Sequence, residues 1–203
     1  RDRAKPAEES VVGISDASSL AAGIAPNIPV STRAPDPALT AAQKVVFDQA
    51  IAAMKNGQVE VAERQFTEVR TQVRTFVPAY LNSALMQRGR GKLDDALKTI
   101  DACLAVVTGD PRALSLKALV LREQGKFAEA KASYLAAITS DPSYAPAHRN
   151  LAVLADVYLD EPALALRHME LYGQLMPNDK DVENWLIEMR RRVQASAPAS
   201  NSP

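Results

Sequence analysis

Four places in this 203-residue chain carry side chains able to do chemistry: His148, His168, Cys103 and the run Gly89-Arg90-Gly91-Lys92-Leu93. Catalysis needs a base or nucleophile held beside an orienting group. The two histidines stand 20 residues apart with no partner at metal-ligand spacing. His148 with Asp156, or His168 with Glu170, would make an acid/base couple, but packing at the surface or at a unit boundary is the reading adopted for both. A lone cysteine makes neither an internal disulfide nor a thiolate cage. Cys103 falls in a column of small residues, where a thiol acts as a small apolar side chain rather than a nucleophile. The glycine run is only superficially a phosphate loop, because Leu93 follows Lys92 where Ser or Thr is required and Met86 holds the first glycine position. A helical turn accounts for it. No catalytic residue, no metal and no cofactor is therefore expected.

Composition narrows the remaining classes. Lys+Arg and Asp+Glu are both 24, so the net charge is zero and the basic excess that drives phosphate binding is missing. Nucleic acid is not an expected partner. No apolar run reaches the roughly 18–20 residues that cross a bilayer. The chain opens on Arg1 rather than Met, so any targeting signal or lipid anchor is expected upstream.

Proline placement divides the chain. Pro6, Pro26, Pro29, Pro35 and Pro37 crowd the first 37 residues, which hold no sustained period and read as a flexible N-terminal tether. As a coil it would span roughly 30–35 Å. Its apolar patches, Val11, Val12 and Ile14, then Leu20, Ile24, Ile28 and Val30, are alternatively a docking motif. Residues 195–203 read as a disordered C-terminal tail, leaving a domain over 38–194.

That domain compares well with itself. Ala50, Ala84 and Ala118 lie 34 apart, as do Ala62, Ala96 and Ala130, and Val69, Cys103 and Ala137. Phe66, Ile100 and Tyr134 form a bulky column in the same phase, and Gly57, Gly91 and Gly125 a turn column. A fourth unit continues through Ala152, Ala165, Met169 and Tyr172, with one residue inserted near Tyr158 to Pro162. Apolar spacings of three and four predict helices throughout. Each unit is thus a helix, a tight turn and a second helix, with glycine in the turns of the first three, and Asp110-Pro111 and Asp141-Pro142 break the chain between units. Units run at about 43–76, 77–110, 111–144 and 145–178. A capping helix over 179–194 presents Val182, Trp185, Leu186, Met189 and Val193 on one stripe, with Arg190, Arg191 and Arg192 as its solvated end.

Asn82-Ser83-Ala84, Asn150-Leu151-Ala152, Gly125-Lys126-Phe127, Ala130 with Tyr134, and Asp141-Pro142 together resemble the tetratricopeptide repeat (TPR) over residues 43–177. Lys117 and Ser83 depart from it by standing where that family usually has Leu. The resemblance implies an all-α fold: a right-handed TPR superhelix, an α-solenoid of about four helix-turn-helix repeats with a C-terminal capping helix. It also implies a concave face lined by each unit's first helix, holding an extended or helical segment of another protein. The lining residues would be Phe47, Ile51 and Met54, then Leu81, Asn82, Leu85 and Arg88, then Ser115, Leu119 and Arg122, then Arg149, Asn150, Val153 and Asp156. Ile51, Leu85, Leu119 and Val153 alternatively pack between helices.

Some relatives clamp the carboxylate-ending tails of chaperones. Asn82 and Arg112 would supply part of such a clamp, but Phe47, Ile51 and Leu116 occupy its other polar positions, so that ligand is not expected. The tether, the Arg- and Ala-rich composition and the Leu159-to-Arg192 ending are similar to envelope-associated bacterial TPR proteins and lipoproteins. Periplasmic or outer-membrane placement follows as the expectation, with cytoplasm the alternative. The function expected is a non-catalytic scaffold assisting assembly of an envelope complex such as a pilus or secretion machine. The alternative is a structural subunit of an oligomer, joined through its convex face or cap.

Overall fold

The structure, a computed structural model, describes residue 31 and residues 33–196. The patches from Val11 to Val30 and most of the expected C-terminal tail lie outside the described residues. Among the described residues the elements are α1 (Ala41–Lys55), α2 (Val59–Gln72), α3 (Val77–Gly89), α4 (Leu93–Val106), α5 (Pro111–Glu123), α6 (Phe127–Ser140), α7 (Ala145–Leu154), α8 (Pro162–Leu175) and α9 (Asp181–Ser196). No strand occurs among them.

Local chemistry starts and stops these helices. Thr40 and Gln43 form a reciprocal capping box at the head of α1. Helices α3, α5, α7 and α8 each carry proline in the first turn, where its missing N–H costs nothing. Asp110 caps α5, its carboxylate accepting from the backbone N–H of Arg112 at 3.0 Å and of Ala113 at 3.1 Å. At the turns inside the first three units, Gly57, Gly91 and Gly125 adopt φ of 71°, 73° and 75°, the left-handed region that glycine enters without strain. The fourth unit differs here. A π-turn over Ala155–Leu159 takes up the inserted residue, and Asp160 at φ 55° replaces the glycine.

The repeat columns become contacts. Ala50, Ala84, Ala118 and Ala152 are all fully buried, as are Ala62, Ala96, Ala130 and Ala165. Phe66, Ile100 and Tyr134 are fully buried beside them. Methyl-sized side chains at the crossings let the helices approach, and the bulky column fills the volume alongside. First helices α1, α3, α5 and α7 touch in sequence along one layer, while the second helices make no comparably extensive contact with one another. The stack therefore curves with its first helices inside.

Helix α9 closes the array. Val182 and Met189 are buried against α8, with Trp185 and Leu186 packed at the margin. Gly173 permits this, since a Cβ there would sit 2.9 Å from Val182 Cγ1. The cap begins two residues later than the sequence expectation because Asp179 holds the entry turn, accepting from Asp181 N at 3.1 Å and from the Tyr172 hydroxyl at 2.6 Å. Arg192 is exposed, as expected of the solvated end, and also reaches back with 2.7 Å bonds to both Asp156 oxygens.

Ala130→Leu is expected to lower stability by about 1–3 kcal/mol through overpacking at the α5–α6 crossing. Ala132→Leu, on the exposed side of α6, should stay within about 0.5 kcal/mol of the parent. Equal melting temperatures for the two variants would show that the small column does not set helix spacing.

Candidate partner-binding site

The inner layer is more closed than a bare groove. Leu81 is fully buried and belongs to the core of the second unit. Leu119 and Val153 are likewise buried between helices, and Ser115 and Asn82 are buried polar groups. The Asn82 amide donates to the Pro78 carbonyl at 2.8 Å, so it is spent within its own helix. Phe47 packs edge-on against Phe76 and Phe66, with centroids 5.1 and 5.8 Å apart. Phe47, Ile51 and Met54 all lean on the first unit's core, and Leu85 on the second's. These residues are structural first because the inner helices sit close enough for apolar side chains to fill the space between them.

Charged members fare differently. Arg88 on α3 spans to Glu123 on α5, its Nε donating at 2.8 Å, so this pair braces neighbouring units. Asp156 is held by Arg192 of the cap. Arg122, Arg149 and Asn150 stay partly exposed on α5 and α7.

The strongest polar assembly of the inner layer lies at the heads of α5 and α7, and sequence reading missed most of it. Arg112, at the second position of α5, is 5% exposed. It donates to Asp110 from Nε at 3.1 Å and from one terminal nitrogen at 2.8 Å. Two further bonds of 2.6 Å run from its terminal nitrogens to the two oxygens of Asp36. Burial works to lower the Arg112 pKa, but the hydrogen bonds to Asp36 and Asp110 outweigh it and hold the guanidinium charged. Arg33 lies 3.7 Å from Asp36 and 4.0 Å from Asp110. Ser31 donates to one oxygen of Asp141 while Ser143 donates to the other through N and Oγ, at 3.0 and 2.7 Å. Burial first, with Asp110 nearby, pushes the Tyr144 hydroxyl up to about 12 beside this network. The available signal was the dipeptide Asp36-Pro37, which repeats the Asp-Pro of the two unit boundaries inside the presumed tether.

The histidines correct the sequence reading too. His148 and His168 face one another across the α7–α8 packing, Nδ1 to Nδ1 at 3.1 Å, and both are buried. His148 Nε2–H donates to the Pro142 carbonyl at 3.0 Å, which leaves its Nδ1 lone pair to accept Nδ1–H from His168. This pairing needs the His148 ring neutral, because a proton on its Nδ1 would remove the acceptor. Burial, then the His148 ring, lowers His168 to about 4, and burial lowers His148 as well. Cys103 is buried as expected, and burial foremost pushes its thiol up to about 12, which makes it a poor nucleophile. An open cleft of about 860 Å³ lies between α8 and α9, lined by Gly173, Met176, Val182 and Leu186 among others, and includes none of the inner-layer candidates.

A curved stack of helical hairpins with a buried polar seat on its inner layer defines a helical-repeat interaction domain. The tetratricopeptide repeat family model matches residues 47–113 and 115–157. The chain belongs to the tetratricopeptide repeat family. A curated relative, the TPR repeat-containing thioredoxin TTL4 of Arabidopsis thaliana, is 34% identical over 94 residues, which are 46% of this chain and 14% of that protein's length. Among solved structures, Pseudomonas aeruginosa pilF superposes with a TM-score of 0.65 at 18% identity, covering 76% of this chain and 70% of pilF. MamA from Desulfovibrio magneticus RS-1 gives 0.56 at 19% identity over 68% and 77% of the two chains. The first TPR of Spaghetti (RPAP3), bound to the HSP90 peptide SRMEEVD, gives 0.53 at 19% over 57% and 90%. At these identities the likeness is one of fold.

Two outcomes are expected. Asp110→Ala should cost about 2–4 kcal/mol, since it strips a helix cap and leaves buried Arg112 with one carboxylate. Asp36→Ala, at the more exposed edge of the network, should cost under about 1.5 kcal/mol by the same denaturant titration; a reversed order would show that Arg112 leans chiefly on Asp36. The second concerns pH. Between the usual histidine value of 6.5 and about 4 the unfolded chain takes up protons that folded His168 refuses. Stability is therefore fully present above about pH 6.5 and is lost as the pH falls toward 4. The parent should lose about 1–3 kcal/mol more than His168→Gln over that interval, and parallel profiles would remove the histidine pair from the account.

Proposed function

We propose that this protein is a non-catalytic scaffold that holds a segment of another protein against the inner layer of its TPR stack. The observation carrying this reading is the polar seat at Arg112, where a buried guanidinium sits on the inner face already paired to carboxylates. A seat of this kind recognises an extended chain by its side-chain charges, and the partly exposed Arg122, Arg149 and Asn150 continue the same layer toward the fourth unit. Membership of the TPR family supports protein binding as the general role. Assembly or upkeep of a bacterial envelope complex is the setting we favour, from the resemblance of the tether and C-terminal ending to envelope-associated TPR proteins. No helix among the described residues is long and apolar enough to cross a membrane.

One observation favours a second reading, a structural subunit joined through the cap. Ile187 on α9 is 60% exposed, an apolar side chain on the outward face of the last helix.

Affinity capture with the whole chain separates the two. The double variant Arg122→Glu with Asn150→Ala is expected to reduce partner recovery at least tenfold while Ile187→Glu leaves it unchanged. The opposite pattern, together with a mass by light scattering that falls to the monomer in Ile187→Glu, would replace the groove by the cap as the binding surface.

A further inference from the structure

Residues Ser31, Arg33 and Asp36 reach the stack at two boundaries between units. Ser31 meets Asp141 in the turn between α6 and α7. Arg33 meets Asp110, and Asp36 meets Arg112, at the head of α5. Asp36 reaches Arg112 across 76 residues of sequence to make a two-point fork. Hydroxyl and carboxylate thus stand at positions i and i+5 of one stretch, each bonded to a complementary group, while the cation at i+2 lies 4.0 Å from Asp110 and 3.7 Å from Asp36 of its own stretch. Such a match is what a bound peptide would make.

The stretch is held without being part of the core. Its two charged side chains keep 21–23% of their surface, and no apolar side chain of it belongs to the packed clusters of the domain. Arg112 and Asp110 are 5% and 1% exposed at the same contacts. One side of this network is thus fixed in the fold, and the other is an edge that water already reaches. Were the stretch to leave, Arg112 would retain Asp110 and free the two bonds now given to Asp36. Asp110 and Asp141 would leave the vacated seat with one net negative charge, suited to a cation or hydroxyl three to five residues before the incoming carboxylate. Only four residues separate Asp36 from α1 at Ala41, so the stretch stays near its seat at an effective concentration of millimolar order. A competing ligand loses apparent affinity by the fraction of molecules that are closed.

We propose that Ser31 and Arg33–Asp36 form a self-ligand, an intramolecular strap that closes the Arg112 seat, and that a partner enters by displacing it with an extended segment carrying a basic residue and, three positions later, an acidic one. This rests on the groove reading and adds to it the partner's chemistry and the device that regulates access.

The test uses the whole chain and its own strap as the probe, a capped fluorescent peptide of residues 30–37, titrated by anisotropy. Asp36→Asn, which breaks the fork but leaves Arg112 bonded to Asp110, is expected to bind this peptide at least tenfold more tightly than the parent chain. Adding Arg112→Lys, which keeps the charge but loses the planar fork, should return binding to the parent level or below. A peptide with Asn in place of its Asp should bind none of them. Hydrogen exchange of the Arg33, Ala34 and Asp36 amides, Pro35 carrying none, should be slower in the parent than in Asp36→Asn, a readout that does not depend on any added ligand. Equal peptide affinity for the parent and Asp36→Asn, with unchanged exchange, would overturn the strap. A dimer that dissociates on Asp36→Asn would overturn closure within one chain and place the strap on a second copy. Because no foreign partner is used, loss of the strap leaves the capture experiment on Arg122 and Asn150 to decide the groove by itself.

Discussion

Everything here hangs on how close two helices can come at a crossing. Eight alanines in two columns are fully buried where first and second helices of successive units meet, and a larger side chain at those points would hold the backbones apart. Close approach brings the rest of each interface into contact, so that Phe66, Ile100 and Tyr134 fill the space alongside. Because a unit buries its apolar faces only on its neighbours, spacing at one crossing is handed on to the next. The inner helices touch along the stack and the outer ones do not to the same extent, and curvature follows.

The same geometry creates the polar seat. Each unit boundary must stop one helix and start another: Asp110 caps α5 and Pro111 opens it, whereas Asp141 and Pro142 follow the end of α6 and α7 starts at Ala145 without a side-chain cap. Asp110 and Asp141 are both buried at these boundaries. Asp110 caps α5 with one oxygen and shares its charge with Arg112, while Asp141 turns to Ser143. The boundary before α5 thus brings a capping carboxylate and the buried Arg112 guanidinium together, and the next boundary adds Asp141.

Columns, turns and boundaries were legible in the sequence because they depend on nearest neighbours at a fixed period. Every alanine of the two small columns is buried, the inserted residue of the fourth unit appears as a π-turn, and the cap packs on α8. What was not legible depends on distance in space. Nothing in the local sequence of Asp36 says that it meets Arg112, and its proline-rich neighbourhood reads as linker. The histidine pair was missed because 20 residues is no metal spacing, yet it equals the path from the inner helix of the fourth unit to its outer one. Leu81, Leu119 and Val153 were placed on the groove by position in the repeat, whereas the close approach of the inner helices buries them. Position in a repeat gives a residue's direction but not how much room is left in front of it.

Residue-resolved hydrogen exchange of the native chain tests the central claim most directly. If each unit is stabilised by its neighbours through the small columns, the most protected amides lie in α3 to α6, around Ala84, Ala96, Ala118 and Ala130, with protection falling toward α1 and α9. Equal protection in the terminal and central helices, or a maximum at either end, would contradict a stack whose stability is passed from one crossing to the next.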